Sequence, residues 1–159
     1  MRTLIKHVLV SADAIESVTV KGWVRTRRDS KGFSFLELND GSCLASLQVV
    51  VDAGTPGYEH IAQFATGASA ILEGKLVPSP AQGQKWELHA ARIELVGPTD
   101  ASYPLQKKGH TAEFLRTIAH LRPRSNLYGA MFRTRSRLAF AVHQFFQERD
   151  FVYVHTPII

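Results

Sequence analysis

Phe35, Gln48 and the run Arg25, Arg27 and Arg28 are the residues whose types could do chemistry together. An aromatic ring on the surface of a small barrel offers a stacking platform to a base. A side-chain amide both donates to and accepts from the Watson–Crick edge of an unstacked base. Guanidinium groups hold phosphates. One platform, one reader and several phosphate holders compose a site for single-stranded nucleic acid. The spacing leaves other placements open. Phe35 lies outside beside Glu37, or in the core with Phe33. Gln48 is a reader, or an ordinary solvated strand residue. The Arg25 to Asp29 run is a phosphate site, or a solvated edge with its own ion pair.

The elements that must position these residues are short strands. Val18, Val20, Gly22 and Val24 alternate with Thr19, Lys21, Trp23 and Arg25, which is the period of a strand. Asp29-Ser30-Lys31-Gly32 reads as a turn. A second strand runs from Phe33 to Leu38, with Phe33, Phe35 and Glu37 on one face and Ser34, Leu36 and Leu38 on the other. Asn39-Asp40-Gly41 closes it. A third runs from Leu44 to Val51, where Leu47, Val49 and Val51 share a face and Gln48 takes the opposite one. A helical stretch, Tyr58 to Thr66, is followed by strands Ala68 to Val77 and Lys85 to Val96. Three strands, a helix and two strands is the order of a five-stranded OB-fold barrel, so the expected class is mainly β. Gly22 and Gly74 lie inside strands, either as bends that close the barrel or as tolerated substitutions.

After Pro98 the character changes. Residues 98–124 form a connector rich in cations, with a helical turn expected around Glu113 to Ile118. Ser125 or Asn126 can cap a long helix. Met131, Leu138, Val142, Phe145 and Phe146 mark its apolar stripe. Phe151 to Ile159 reads as a strand. The predicted organisation is residues 1–97 as the barrel, 98–124 as a hinge and 125–159 as the start of a second domain. The apolar ending Thr156-Pro157-Ile158-Ile159 suggests that this second domain is truncated.

The 159 residues carry a formal net charge of +5, which favours a polyanionic partner. The lone cysteine, Cys43, excludes an internal disulfide and a cysteine zinc site. Neither a signal peptide nor a membrane span is visible, and a soluble cytoplasmic protein is expected. No Walker loop, dinucleotide fingerprint or nucleophile elbow is present. The seven histidines do not fall at metal-ligand spacing, and His7, His60, His89 and His143 read as surface or packing residues. No catalytic or metal site is expected in the chain.

The segment Val20-Lys21-Gly22-Trp23-Val24-Arg25-Thr26-Arg27-Arg28-Asp29-Ser30-Lys31, followed by Phe35-Leu36 and Asn39-Asp40-Gly41-Ser42, closely resembles the start of bacterial-type asparaginyl-tRNA synthetases. Thr117-Ile118-Ala119-His120-Leu121-Arg122-Pro123-Arg124 resembles their hinge. Phe145-Phe146 through Phe151 to Ile159 resembles motif 1 of class II synthetases. The gly-trp-val-arg region alone fits aspartyl and lysyl relatives as well, and the hinge decides for the asparaginyl enzyme.

The resemblance implies that the barrel binds the anticodon of tRNA(Asn). Phe35 would stack on the central uridine and Gln48 would hydrogen-bond it, with Arg28 and Glu37 beside them. Arg25 and Arg27 would contact tRNA phosphates, and the hinge residues Arg122 and Arg124 would approach the inner corner of the tRNA. Pro157, Phe145 and Phe146 would lie in a homodimer interface. The full enzyme would use ATP and magnesium to attach asparagine to tRNA. Motifs 2 and 3 lie beyond Ile159, so no catalytic residue is assigned and the chain itself takes no cofactor. Two alternatives stand beside this: a free-standing single-strand-binding OB module, and the related aspartyl enzyme.

Overall fold

The computed structural model describes residues 1–157 and divides into two units, Met1–His110 and Thr111–Ile159. The dividing point falls inside the predicted connector.

The first unit is a closed barrel of five strands in the order β1-β2-β3-β5-β4. The strands are β1 Ile15–Ser30, β2 Phe33–Asn39, β3 Leu47–Asp52, β4 Ser69–Pro78 and β5 Trp86–Gly97. All neighbours are antiparallel except β3 and β5, whose parallel pairing closes the barrel. The long β1 serves two neighbours. Its first half pairs with β4 and its second with β2. A register shift between Val24 and Thr26 lies near the handover and supplies the bend.

The alternating pattern is realised as read. Ser34, Leu36 and Leu38 of β2 and Leu47, Val49 and Val51 of β3 are buried. The five apolar ones, Leu36, Leu38, Leu47, Val49 and Val51, meet Val18, Val20, Val24, Leu72, Leu76 and Leu88 in one core. At about 25 cal/mol per Å² of apolar surface, burial of this core is the main force holding the barrel shut. The two strand glycines prove to be close-approach sites. A Cβ on Gly22 would stand 2.6 Å from the Asn39 carbonyl oxygen, and one on Gly74 2.0 Å from that of His89. Only a residue without a side chain lets those backbones come so near.

Three elements of the first unit differ from the sequence expectation. The helix predicted over Tyr58–Thr66 is a 3₁₀ turn, Tyr58–Gln63. Left-handed Gly57 and Gly67 stop it on both sides, and i→i+3 bonds such as Phe64 N–H to Ile61 O tighten it. Its purpose is to seat Phe64, which is fully buried. The third strand starts at Leu47 rather than Leu44. Asn39 Nδ2 donates to the carbonyls of Cys43 and Ala45, which takes them out of the ladder. An unpredicted helix α1, Ile5–Leu9, buries Ile5 and Val8 in the barrel core. The Asp40 carboxylate anchors it by accepting from the Ile5 N–H at 3.0 Å.

The second unit contains helix α2 Ala112–Thr117, a 3₁₀ turn Arg122–Arg124 and helix α3 Asn126–Gln147. Thr111 and Ser125 cap the two helices, accepting from the N–H groups of Phe114 and Tyr128. The chain leaves α3 through Asp150, at φ 62°. The strand predicted over Phe151–Ile159 does not form among residues 151–157, because none of the described residues offers it a ladder. Ile158 and Ile159 lie outside the described residues. No helix among the described residues is long and apolar enough to cross a membrane.

Candidate nucleic-acid interface

Residues directly opposite each other on paired strands point to the same face. The ladder therefore arranges the outer surface of the barrel in two rows. One row runs Arg28, Phe35, Val50, His89 across β1, β2, β3 and β5. The other runs Thr26, Glu37, Gln48, Glu87 across the same strands.

Phe35 lies on the outer face and is partly exposed, so the structure decides its placement against the core. Phe33 meets it edge to face, with ring centroids 5.1 Å apart at 90°. The exposed Arg28 guanidinium stands 5.3 Å from the Phe35 centroid, a cation–π distance. The ring is thus held from one side and covered by an exposed cation.

Gln48 is on the same face, one step diagonal from Phe35. Its Nε2 donates to Glu87 Oε2 at 3.4 Å. Glu87 is 5% exposed and collects further partners. Ser79 Oγ donates to Oε2 at 3.0 Å, and His89 Nε2 lies 2.9 Å from Oε1. Ser79 in turn accepts from Gln84 Nε2 and the Ala81 N–H, so the β4–β5 loop folds down over the carboxylate. An ionised carboxylate can only accept. Gln48 must therefore turn its NH₂ group toward Glu87, and its carbonyl oxygen is left facing elsewhere. Glu37, directly opposite Gln48, is partly exposed.

The three arginines of β1 separate. Arg28 belongs to the Phe35 row. Arg27 pairs with Leu36 and so shares the inward-facing side at the barrel end. There it donates to the carbonyls of Ile61 and Ala62 at 2.7 and 2.6 Å and pairs with Asp29 at 3.2 Å. It ties the 3₁₀ turn to β1. Arg25 sits at the register shift, outside the ladder, and its carbonyl accepts from Thr66 Oγ1.

In the second unit, Arg122 stacks over Tyr128 and Phe132, at 5.1 and 5.5 Å. Arg124 is partly exposed in the same turn. Phe145 and Phe146 are about half exposed and meet edge to face at 5.4 Å. Pro157 is exposed. Beside these, Met131, Leu138 and Val142 line an open apolar groove along α3.

The charge is unevenly shared. Thr111–Ile159 carries seven of the nineteen Lys and Arg residues but three of the fourteen Asp and Glu. The barrel unit is almost balanced, so attraction of a polyanion to it depends on a few local cations.

Glu87 is the site residue that strand periodicity did not single out. Trp86, Glu87 and Leu88 are all buried in succession, which breaks the alternation. What buries Glu87 is the loop above it and the parallel pairing with β3, and neither leaves a mark in local spacing. Among the described residues, no group of three or more His, Cys, Asp or Glu side chains is placed to hold a metal ion.

The tRNA_anti-codon family, described as an OB-fold nucleic acid binding domain, matches residues 18–96. An asparagine–tRNA ligase of Nitratidesulfovibrio vulgaris is 56% identical over 159 residues, covering 99% of this chain and 34% of that protein. The ligase of the same name from Geobacter sulfurreducens is 58% identical over 158 residues, again 99% and 34%. The chain therefore spans about a third of the length of these curated relatives. Among solved structures, the asparaginyl-tRNA synthetase of Pyrococcus horikoshii superposes with a TM-score of 0.85 at 20% identity, over 99% of this chain and 38% of that one. The aspartyl-tRNA synthetase of Entamoeba histolytica gives 0.80 at 20% identity, over 99% and 39%. At such identities the superpositions speak for the fold alone.

Proposed function

Residues 18–96 of this chain belong to the OB-fold nucleic acid binding domain family of the tRNA anticodon type, and on that premise we propose that the barrel reads the anticodon of tRNA(Asn). The chain is akin over its whole length to asparagine–tRNA ligases, and the activity we propose for the parent enzyme is ATP-dependent attachment of asparagine to that tRNA.

The observation that carries this reading is the diagonal placement of Phe35 and Gln48 on one exposed face of neighbouring strands. Diagonal neighbours lie about 7–8 Å apart. A base stacked on the Phe35 ring therefore brings its edge to the Gln48 amide. The incoming base displaces Arg28 from the ring, and the freed guanidinium takes a phosphate. Glu87 gives the reader its direction. With the Gln48 NH₂ group turned one way, donor and acceptor meet the base in a set order. Uridine offers an N3–H beside a carbonyl, whereas cytidine offers the reverse pair. A locked amide tells them apart, and a freely flipping one does not.

The remaining assignments belong to the parent enzyme. Arg25 meets the tRNA near this face and Arg122 and Arg124 meet it elsewhere, whereas Arg27, expected on a phosphate, is taken up by the Ile61 and Ala62 carbonyls and Asp29 and braces the barrel instead. Phe145, Phe146 and Pro157 take part in a homodimer interface. Residues 1–97, 98–124 and 125–159 are anticodon domain, hinge and start of the catalytic domain. ATP and magnesium act outside the described residues, and the enzyme works in the cytoplasm.

The test is a titration of the chain with an anticodon hairpin carrying GUU, against the same hairpin with its central U replaced by C. A clear preference for U supports the reading. Equal affinity leaves a general single-strand binder of the OB class and refutes anticodon recognition at this face.

A further inference from the structure

The Phe35 row continues past the stacked base, and its last member has no part in the recognition described above. His89 stands on β5, on the outer face, in register with Val50 and through it with Phe35. Strands are about 4.8 Å apart, so His89 lies roughly 10 Å from Phe35 across the barrel. That is a distance one extended nucleotide step can cover. Val50, between them, is apolar and partly exposed, and it makes a floor without competing hydrogen bonds.

The imidazole is both exposed and held. Its side chain is 50% exposed, and Nε2 sits 2.9 Å from the Glu87 carboxylate, whose own side chain is 7% exposed. Because the carboxylate only accepts, Nε2 carries the proton that faces it. The ring is oriented before any ligand arrives, which lowers the ordering cost of binding. Histidine rings stack on unpaired bases as the larger aromatics do. Glu87 thus serves both halves of the face, turning Gln48 with one oxygen and His89 with the other.

We propose that His89 is a second stacking platform, which takes the nucleotide next to the one on Phe35. This rests on the anticodon reading above and extends it from one base to two. It also revises the sequence reading of His89 as a surface or packing residue.

The experiment uses the whole chain and the GUU hairpin, with abasic sugars placed in turn on either side of the central U. His89→Ala should weaken binding of the intact hairpin by roughly 5- to 150-fold, the range for loss of one stacked base. His89→Phe, which keeps an aromatic face and loses the hydrogen bond, should stay within a few-fold of the parent. One of the two abasic hairpins should bind His89→Ala and the parent equally, because the partner base is already gone. Phe35→Ala is the control that separates the two ideas. If Phe35→Ala weakens binding and His89→Ala does not, the second platform is wrong and the first site stands. If Phe35→Ala has no effect, the anticodon reading itself fails. Should His89→Phe bind as poorly as His89→Ala, stacking is excluded as the role of His89. A thermal melt of each variant confirms that the exposed substitutions leave the barrel folded.

Discussion

Gln48 and Glu87, 39 residues apart in sequence, meet across the parallel seam between β3 and β5, with Nε2 3.4 Å from Oε2. The contact is long for a strong hydrogen bond, and its value is directional. An acceptor-only carboxylate beside an amide permits one of its two flips. Glu87→Gln offers either a donor or an acceptor and so releases the amide. The expected result is similar affinity for the two hairpins and loss of the preference for central U over C. Wild-type discrimination of order 1–3 kcal/mol should shrink toward zero. Retained discrimination in Glu87→Gln would show that something other than the Gln48 direction sets the base.

Phe35 is a surface ring with a core residue on either side of it in sequence, Ser34 and Leu36. Its replacement should therefore separate binding from stability. Phe35→Ala is expected to cost about 1–3 kcal/mol of RNA binding. The melting temperature should move far less than it does for a substitution at fully buried Leu36. Fluorescence anisotropy and a thermal melt on the same sample measure both. A large drop in melting temperature would mean that the ring supports the barrel instead.

Arg28 is the one arginine of the β1 run that lies over the Phe35 ring, while Arg27 is engaged by Ile61, Ala62 and Asp29. Arg28→Ala should reduce the slope of log affinity against log salt by about 1, as expected for one phosphate contact. Arg27→Ala should act mainly on stability, by freeing the 3₁₀ turn that carries Phe64. An equal effect of both on the salt slope would contradict the separation.

Asp40 links the N-terminus to the barrel. Its side chain is closed off from solvent beside Arg2. Burial raises the carboxyl pKa, but the Ser42 hydroxyl, the N–H groups of Ile5 and Ser42 and the Arg2 guanidinium outweigh it and hold it below the ordinary 3.8. The folded value is lower than the unfolded one. The contribution to stability is therefore complete above the unfolded value and is lost as pH falls through the folded value. Asp40→Ala should cost about 2 kcal/mol near neutral pH, since it strands the N–H groups it satisfies. It should also flatten the loss of stability at the acid end of the range. Urea midpoints of parent and variant across acid pH test this, and parallel curves would refute it.

Gly74→Ala places a methyl group 2.0 Å from the His89 carbonyl oxygen, which is backbone and cannot swing aside. The expected cost is ~3 kcal/mol or more, as β4 and β5 must part. Chemical denaturation reads this directly. A near-neutral substitution would mean that the strands slide freely at this point.

Much of the site was legible because strand periodicity is local. Alternation within Phe33–Leu38 and Leu47–Val51 settles that Phe35 and Gln48 share the face opposite Leu36, Leu38 and Val49, once one face is known to be the core. Other parts were not. Period two could not choose between Phe35 outside and Phe35 inside, because Leu36 and Phe35 are both apolar enough to bury. The weak helical pattern of Tyr58–Thr66 did not reveal a 3₁₀ turn, since glycines and close packing at each end shorten it. Arg27 looked like its neighbours until its reach to carbonyls more than thirty residues away was visible.

By itself, the sequence determined the order of the five barrel strands, which residues share a face within each, a long helix beginning at Ser125 or Asn126, and the likeness to a family. Each of these rests on interactions between residues near in the chain, or on motif. Only the tertiary structure decided that β3 closes against β5, that Glu87 is buried between them, and that His89 falls in line with Phe35. Those relations come from strand pairing at long sequence separation, where register is set by the packing of the whole barrel and not by the spacing of any segment.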